Sequence, residues 1–165
     1  MNNTKTLVKS ALFCALTLLF TLFIKVPSPL GYVNLGDAMV IISALFLPLP
    51  YAILTSALGS ALADVLAGYL TYAPGTFVIK GLMALVIALI FSLFKKYKSV
   101  GAILGSIAAE ILMIGGYLFY EWVLLSYGSG ALVSISYNAV QGVASMVVAI
   151  VIYFALSRVF KRKGW

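Results

Sequence analysis

The sequence predicts an all-α integral membrane protein, with residues 1–165 forming a single domain of six transmembrane helices and both termini in the cytoplasm. Of its 165 residues, 64% are hydrophobic and only 9% are charged, a composition typical of membrane proteins. Its 11 Lys and Arg residues mostly flank apolar segments, where positive charge sets the orientation of membrane helices. The net charge of +7 therefore does not predict nucleic-acid binding.

Five apolar segments have about the 20 residues that a helix needs to cross the hydrocarbon core. They lie at about 7–25, 50–69, 75–94, 99–126 and 136–158. The first is predicted as a membrane helix and not as a signal peptide, because Lys25 and two prolines follow it in place of a small-residue cleavage site. A sixth segment, 35–47, is shorter, and Pro48 and Pro50 should end its helix.

The basic clusters indicate that the short segment also crosses the membrane. With six crossings and a cytoplasmic N-terminus, the clusters near the N-terminus, at 95–98 and in the tail at 158–163 all fall on the cytoplasmic side. With five crossings these clusters cannot all lie on the cytoplasmic side. In the arrangement with six crossings, Lys25 is left on the outer side and Lys80 lies within the membrane.

The sequence lacks the residues of the familiar catalytic and metal sites. It has no histidine and a single cysteine, Cys14, so the usual general base and the commonest metal ligands are missing. No G-x-x-x-x-G-K-[ST] phosphate loop, H-E-x-x-H or G-x-S-x-G motif occurs. We therefore expect no enzymatic activity, no cofactor, no metal and no ATP hydrolysis by this chain.

Asp64 and Lys80 lie inside the apolar segments 50–69 and 75–94, where each charge costs at least about 2.5 to 3.5 kcal/mol and needs a partner or a wet cavity. Asp64 and Lys80 are each eight residues from Tyr72, so an antiparallel helix hairpin holds them at similar depth near its outer end. Two interpretations stay open, a structural ion pair between them and contact with a ligand.

Further polar side chains gather in the outer halves of the last two helices. Tyr117 and Glu121 lie in the outer half of the fifth helix and share one face with Glu110, which is close to the middle. Asn138 and Gln141 lie near the outer end of the sixth helix. The outer loops add Tyr32, Asn34, Asp37, Tyr69 and Tyr72. Taken one at a time, such residues are explained by interhelical hydrogen bonds or by interfacial aromatic belts. Taken together, these residues predict a pocket that opens to the outside and is closed beneath.

Three motifs resemble a known family. They are N-L-G-D at 34–37, G-S-A-L-A-D at 59–64 and Y-A-P-G-T-x-x-I-K-G at 72–81. They are similar to the substrate-binding S component of energy-coupling factor (ECF) vitamin transporters, in the riboflavin, hydroxymethylpyrimidine and pyridoxine group. The resemblance implies high-affinity capture of a vitamin at the bacterial cell membrane. It also implies a transmembrane coupling subunit and two cytoplasmic ATPases as partners.

The resemblance suggests substrate contacts at Asn34, Asp37 and Lys80 within the motifs. Depth and helix face add the remaining candidates, which are Asp64, Tyr72, Tyr117, Glu121, Asn138 and Gln141. An AxxxA pair, Ala11 and Ala15, is expected to face the coupling subunit. The resemblance slightly favours a pyridoxine- or pyrimidine-type vitamin over riboflavin.

Two alternatives remain open. One is a proton-coupled secondary transporter that uses Glu110 and Glu121. The other is a membrane assembly factor without a ligand, in which Asp64 and Lys80 only pair with each other.

Overall fold

The fold is a bundle of six α-helices. The computed structural model describes residues 3–162, with side chains described for 4–158. The helices are α1 (Asn3–Phe23), α2 (Gly36–Phe46), α3 (Leu49–Leu66), α4 (Ala73–Leu93), α5 (Lys98–Phe119) and α6 (Leu132–Arg162). A short antiparallel hairpin of β1 (Lys25–Ser28) and β2 (Gly31–Asn34) joins α1 to α2. A π-helical turn, Tyr120–Leu124, extends α5, and a 3-10 turn, Gly128–Ala131, precedes α6.

Proline and glycine set the helix boundaries in the middle of the chain. Leu47 is extended, as expected of a residue before proline, and Pro48 then precedes the first turn of α3. At the other end of α3, Gly68 adopts a φ of +85°, and the amides of Gly68 and Tyr69 bond the carbonyls of Val65 and Asp64. This is a Schellman cap. It ends the helix three residues before the predicted boundary at 69 and turns Tyr69 back over the bundle.

The prediction of six helices is confirmed, and five of them are long and apolar enough to cross a membrane. The sixth, α2, has 11 residues and is therefore about 16 Å long. It is buried from Gly36 to Leu45 and contacts α1, α3, α4 and α6. A central helix that its neighbours cover can be shorter than the bilayer is thick. Here the hairpin before α2 and the turn at Pro48 after it extend the chain beyond the two ends of the helix.

Apolar side chains form the core around α2, while many others face outward. Val40 and Ile41 of α2 are fully buried against Met83 of α4 and Met113 of α5, among others. Large apolar side chains such as Leu93 are largely exposed, as expected for a lipid-facing surface.

The two ends of the bundle differ in chemistry. The β-hairpin, the α3–α4 turn and the α5–α6 connection lie at one end, which we call the site end. The α4–α5 connection and the C-terminal part of α6 lie at the opposite end, which we call the basic end because Lys95, Lys96, Lys98 and Arg158 are located there. The predicted outer pocket corresponds to the site end.

Candidate functional site

A buried ion pair lies beneath the site end. The Asp37 carboxylate, in the first turn of α2, accepts a hydrogen bond from Lys80 Nζ of α4 at 2.5 Å, and the two side chains are 1% and 3% exposed. Its other oxygen accepts a hydrogen bond from Gln141 Nε2 of α6 at 2.7 Å. Three helices are thereby joined through one carboxylate. Such burial requires a paired and hydrogen-bonded charge.

Of the two interpretations that the sequence left open, the ion pair between Lys80 and Asp64 does not form. Lys80 forms its salt bridge with Asp37. Asp64 instead accepts a hydrogen bond from the Tyr32 hydroxyl at 2.5 Å. Equal sequence distance from Tyr72 indicated equal depth, but it carried no information on the direction in which each side chain leaves its helix.

Gln141 also ties the β-hairpin to α6. Its Oε1 accepts hydrogen bonds from the backbone amide of Asn34 at 2.9 Å and from Asn34 Nδ2 at 3.3 Å. Asn34 Oδ1 in turn accepts a hydrogen bond from the Gly36 amide at 2.8 Å, which satisfies one free amide at the start of α2. Asn34 and Gln141 thus have structural partners and also border the space above them.

A cavity with about 480 Å³ of empty space, its open mouth included, lies above the ion pair. Seven of the nine predicted substrate-binding residues line it: Asn34, Asp64, Tyr72, Tyr117, Glu121, Asn138 and Gln141. The other two predicted residues, Asp37 and Lys80, do not line the cavity. They form a buried ion pair with each other instead.

Three polar atoms in the cavity wall are buried and have no hydrogen-bond partner among the described residues: Asp64 Oδ2, Glu121 Oε2 and Asn138 Nδ2. The second oxygen of each acid is satisfied, by Tyr32 for Asp64 and by the Tyr72 hydroxyl at 3.2 Å for Glu121. A buried polar atom without a partner costs about 1–3 kcal/mol. A ligand that donates hydrogen bonds to the two carboxylate oxygens and accepts one from Asn138 Nδ2 would remove that cost.

The two loop tyrosines act as donors to these acids. Burial, followed by the nearby Asp64 charge, raises the pKa of Tyr32 above its ordinary value. Burial and the Glu121 charge likewise raise the pKa of Tyr72. Both hydroxyls therefore keep their protons at neutral pH, and each holds one carboxylate oxygen in place.

Aromatic rings form the outer rim of the cavity. Tyr32 and Tyr69 have ring centroids 5.0 Å apart, and Tyr72 follows Tyr69 at 6.3 Å. Deeper in, the Tyr117 hydroxyl is 3.0 Å from Thr76 Oγ1, and Lys80 Nζ lies 5.2 Å from the Tyr117 ring centroid. Such rings offer flat, apolar surfaces with polar edges, which suit a heteroaromatic ligand.

Sequence reasoning missed several lining residues, including Thr76, Ser134, Tyr137 and the hairpin positions Ser28, Leu30 and Gly31. Ser134 had a signal, because Ser134, Asn138 and Gln141 follow i, i+4 and i+7 spacing on one helical face. The hairpin had none, since each of its strands has only four residues and no apolar alternation.

The other singled-out residues lie outside the cavity lining. Ala11 and Ala15 are exposed on the surface of α1. Glu110 is 6% exposed and both of its carboxylate oxygens lack a hydrogen-bond partner among the described residues. The side chain lies against Gly142, where an added Cβ would come within 2.9 Å of Glu110 Oε2.

Together, the fold and site define a helical membrane protein with a polar and aromatic binding cavity at one end. A family model described as ECF-type riboflavin transporter, S component, matches residues 1–158. The chain therefore belongs to this family, whose members are vitamin-binding subunits of ECF transporters, and the family resemblance predicted from the motifs is confirmed.

Two further comparisons agree with this assignment. An uncharacterized protein from the gap 3′ region of Pyrococcus woesei is 35% identical over 132 residues, which cover 78% of this chain and 85% of the relative. A solved structure of the S component of a bacterial ECF transporter superposes with a TM-score of 0.78 at 21% identity, covering 97% of this chain and 99% of the other. At that identity the likeness supports the fold alone.

Proposed function

We propose that this chain captures an unphosphorylated heteroaromatic vitamin in the site-end cavity and delivers it to an ECF importer in the cell membrane. The observation that carries the proposal is the convergence of Asp64 Oδ2, Glu121 Oε2 and Asn138 Nδ2 on one aromatic-rimmed cavity, all buried and without a hydrogen-bond partner in the described part of the chain. Two of the three atoms are carboxylate oxygens, which accept hydrogen bonds only. The preferred ligand is therefore rich in hydroxyl or N–H donors and carries no negative charge.

Riboflavin is the first ligand to test. The matching family model is named for riboflavin, whereas the motif resemblance alone slightly favoured a pyridoxine- or pyrimidine-type vitamin. Riboflavin combines a flat ring system, which suits the tyrosine rim, with a chain of hydroxyl donors, which suits the free oxygens of Asp64 and Glu121. Pyridoxine, hydroxymethylpyrimidine and thiamine share part of this chemistry and are the comparison ligands.

The energy for transport would come from partners. Because no phosphate-loop motif occurs in the sequence, we propose a transmembrane coupling subunit and two cytoplasmic ATPases, as the family membership implies. The exposed Ala11 and Ala15 of α1 are the proposed contact with the coupling subunit, because small residues allow close helix approach. A bacterial cell membrane is the proposed location.

The test is equilibrium binding to the purified full chain in detergent, without ATP or an ion gradient. Riboflavin should bind, and its 5′-phosphate should bind more weakly because its charge would face Asp64 and Glu121. Glu121→Gln and Asp64→Asn should each weaken binding about 10- to 100-fold, since a hydrogen bond to a charged group contributes about 1.5–3 kcal/mol. Glu110→Gln is the matched control, because it makes the same change on α5 outside the cavity lining.

Failure of all four vitamins to bind would contradict the proposal, as would equal losses of affinity in Glu110→Gln and Glu121→Gln.

The proton-coupled alternative is tested by uptake into liposomes that contain this chain alone. Its basis is the partnerless carboxyl of Glu110. Uptake driven by a pH gradient and lost in Glu110→Gln would favour it. The ligand-free assembly factor required an Asp64–Lys80 pair, and Lys80 pairs with Asp37 instead.

A further inference from the structure

A second cavity lies at the basic end, between the start of α5 and the C-terminal part of α6. It encloses about 1040 Å³ of empty space, its open side included. Its lining includes Lys96, Lys98 and Arg158, together with Tyr97, Tyr153 and Phe154. The three cations come from two sides of the cavity, since Lys96 and Lys98 flank Tyr97, the N-cap of α5, and Arg158 lies on α6.

No acidic residue balances these cations. The whole sequence has only four acids, Asp37, Asp64, Glu110 and Glu121, and none lines this cavity. The general preference for positive charge on the cytoplasmic side explains why basic residues occur here. It does not require residues from a loop and from a distant helix to surround one cavity.

Two of the cations lie near aromatic rings, although both side chains are exposed. Lys98 Nζ lies 4.4 Å from the centroid of the Phe91 ring, and Lys96 Nζ lies 5.5 Å from that of Tyr97. The first turn of α5 adds to the positive potential, because Tyr97 at its N-cap makes no side-chain hydrogen bond to the free amides. The cavity is thus suited to an anion.

The cavity walls continue into lipid-facing apolar surface. Val100 and Phe154 are exposed and line the cavity. One helical turn further toward the middle of the bundle, Leu104 and Val151 are exposed on the same faces of α5 and α6. An occupant that matches both parts has a negatively charged head and an apolar tail.

We propose that this cavity binds the phosphate group of an anionic phospholipid, with its acyl chains along α5 and α6. Basic recesses between membrane helices commonly hold such head groups, and each Lys or Arg near the surface adds to the attraction. A free phosphate ester offers the same anion, but it would leave the apolar walls beside Val100 and Phe154 uncovered. The lipid is therefore the occupant that the geometry favours.

The test is native mass spectrometry of the full chain in detergent, with phosphatidylglycerol, phosphatidylcholine or glycerol 3-phosphate added at equal concentration. Phosphatidylglycerol adducts should survive detergent removal on the unmodified protein, and the other two should not. Lys98→Gln combined with Arg158→Gln should weaken phosphatidylglycerol binding about tenfold or more, because two attracting charges are lost. Lys5→Gln combined with Lys95→Gln removes the same charge outside the cavity and should leave binding within about twofold.

Three lipid-binding results would overturn the proposal. They are equal retention of phosphatidylglycerol and phosphatidylcholine, equal losses in the two double variants, and full competition by glycerol 3-phosphate. Co-purification with an acidic protein that depends on Lys98 and Arg158, without any lipid preference, would assign the cavity to a protein partner and overturn it as well. Far-UV circular dichroism and riboflavin binding, measured on both double variants, distinguish loss of the lipid site from loss of the fold.

Discussion

Breaking the Asp37–Lys80 pair from one side should destabilise the protein more than removing both residues. Lys80→Met leaves the Asp37 carboxylate buried and without its cation, and breaking a buried pair in this way costs about 3–5 kcal/mol. Asp37→Leu leaves the Lys80 ammonium in the same position. In the double variant no uncompensated charge remains, and the main loss is the acceptor of Gln141 Nε2, at about 1–3 kcal/mol.

Thermal unfolding in detergent measures these differences. For a chain of this size, 1 kcal/mol corresponds to about 2–4 °C, so each single variant should lower the melting temperature by about 6–20 °C. The double variant should lie above both singles. Its coupling energy, taken from the complete mutant cycle, should be about 3 kcal/mol or more from these costs, at the upper end of the roughly 0.5–3 kcal/mol measured for residues in one network.

A matched cycle with Asp64 tests the assignment of the partner. Asp64→Leu combined with Lys80→Met should show no compensation, since the two side chains do not pair in the structure. Compensation in that cycle, or a Lys80→Met variant as stable as the unmodified protein, would refute the reasoning.

Three further outcomes are expected. The pKa values of Tyr32 and Tyr72 are raised above 10.0, so the folded state keeps protons that the unfolded state loses at high pH. The stabilisation from these two groups should therefore be fully present below about pH 10 and fall above it, and the Tyr32→Phe/Tyr72→Phe double variant should show a smaller fall in melting temperature across about pH 7–11.5. Glu110→Met should raise the melting temperature, because it removes a buried carboxyl without hydrogen-bond partners, and riboflavin affinity measured alongside should not change. Ala11→Leu with Ala15→Leu should preserve riboflavin binding but reduce co-purification with the coupling subunit, and unimpaired complex formation would exclude this face of α1.

Hydropathy and charge predicted the helices because a bilayer imposes length and composition on each crossing. The short segment 35–47 was recognised from the sides on which basic clusters lie, and α2 indeed spans Gly36–Phe46. The strands of the 25–34 hairpin were not predicted, because four-residue strands give too little periodicity. In the same way, the end of α3 depended on the left-handed Gly68, which hydropathy does not detect.

For the site, the sequence located polar residues along the membrane normal better than around each helix. Residue counting placed Asp64 and Lys80 at one depth, but the rotation of α3 and α4 decides that Asp64 faces Tyr32 and Lys80 faces Asp37. Helical spacing did place Tyr117 and Glu121 on the cavity wall. Contacts with ligand at these positions stay predictions.

The separation of acids from the basic end gives the molecule an electrical asymmetry along the bundle axis. Lys96, Lys98 and Arg158 lie at one end, while Asp64 and Glu121 lie at the other. A membrane potential that is negative on the basic side stabilises this arrangement, at about 2.3 kcal/mol for each charge moved through 100 mV. An energised membrane would therefore resist any tilt of the bundle toward the bilayer plane.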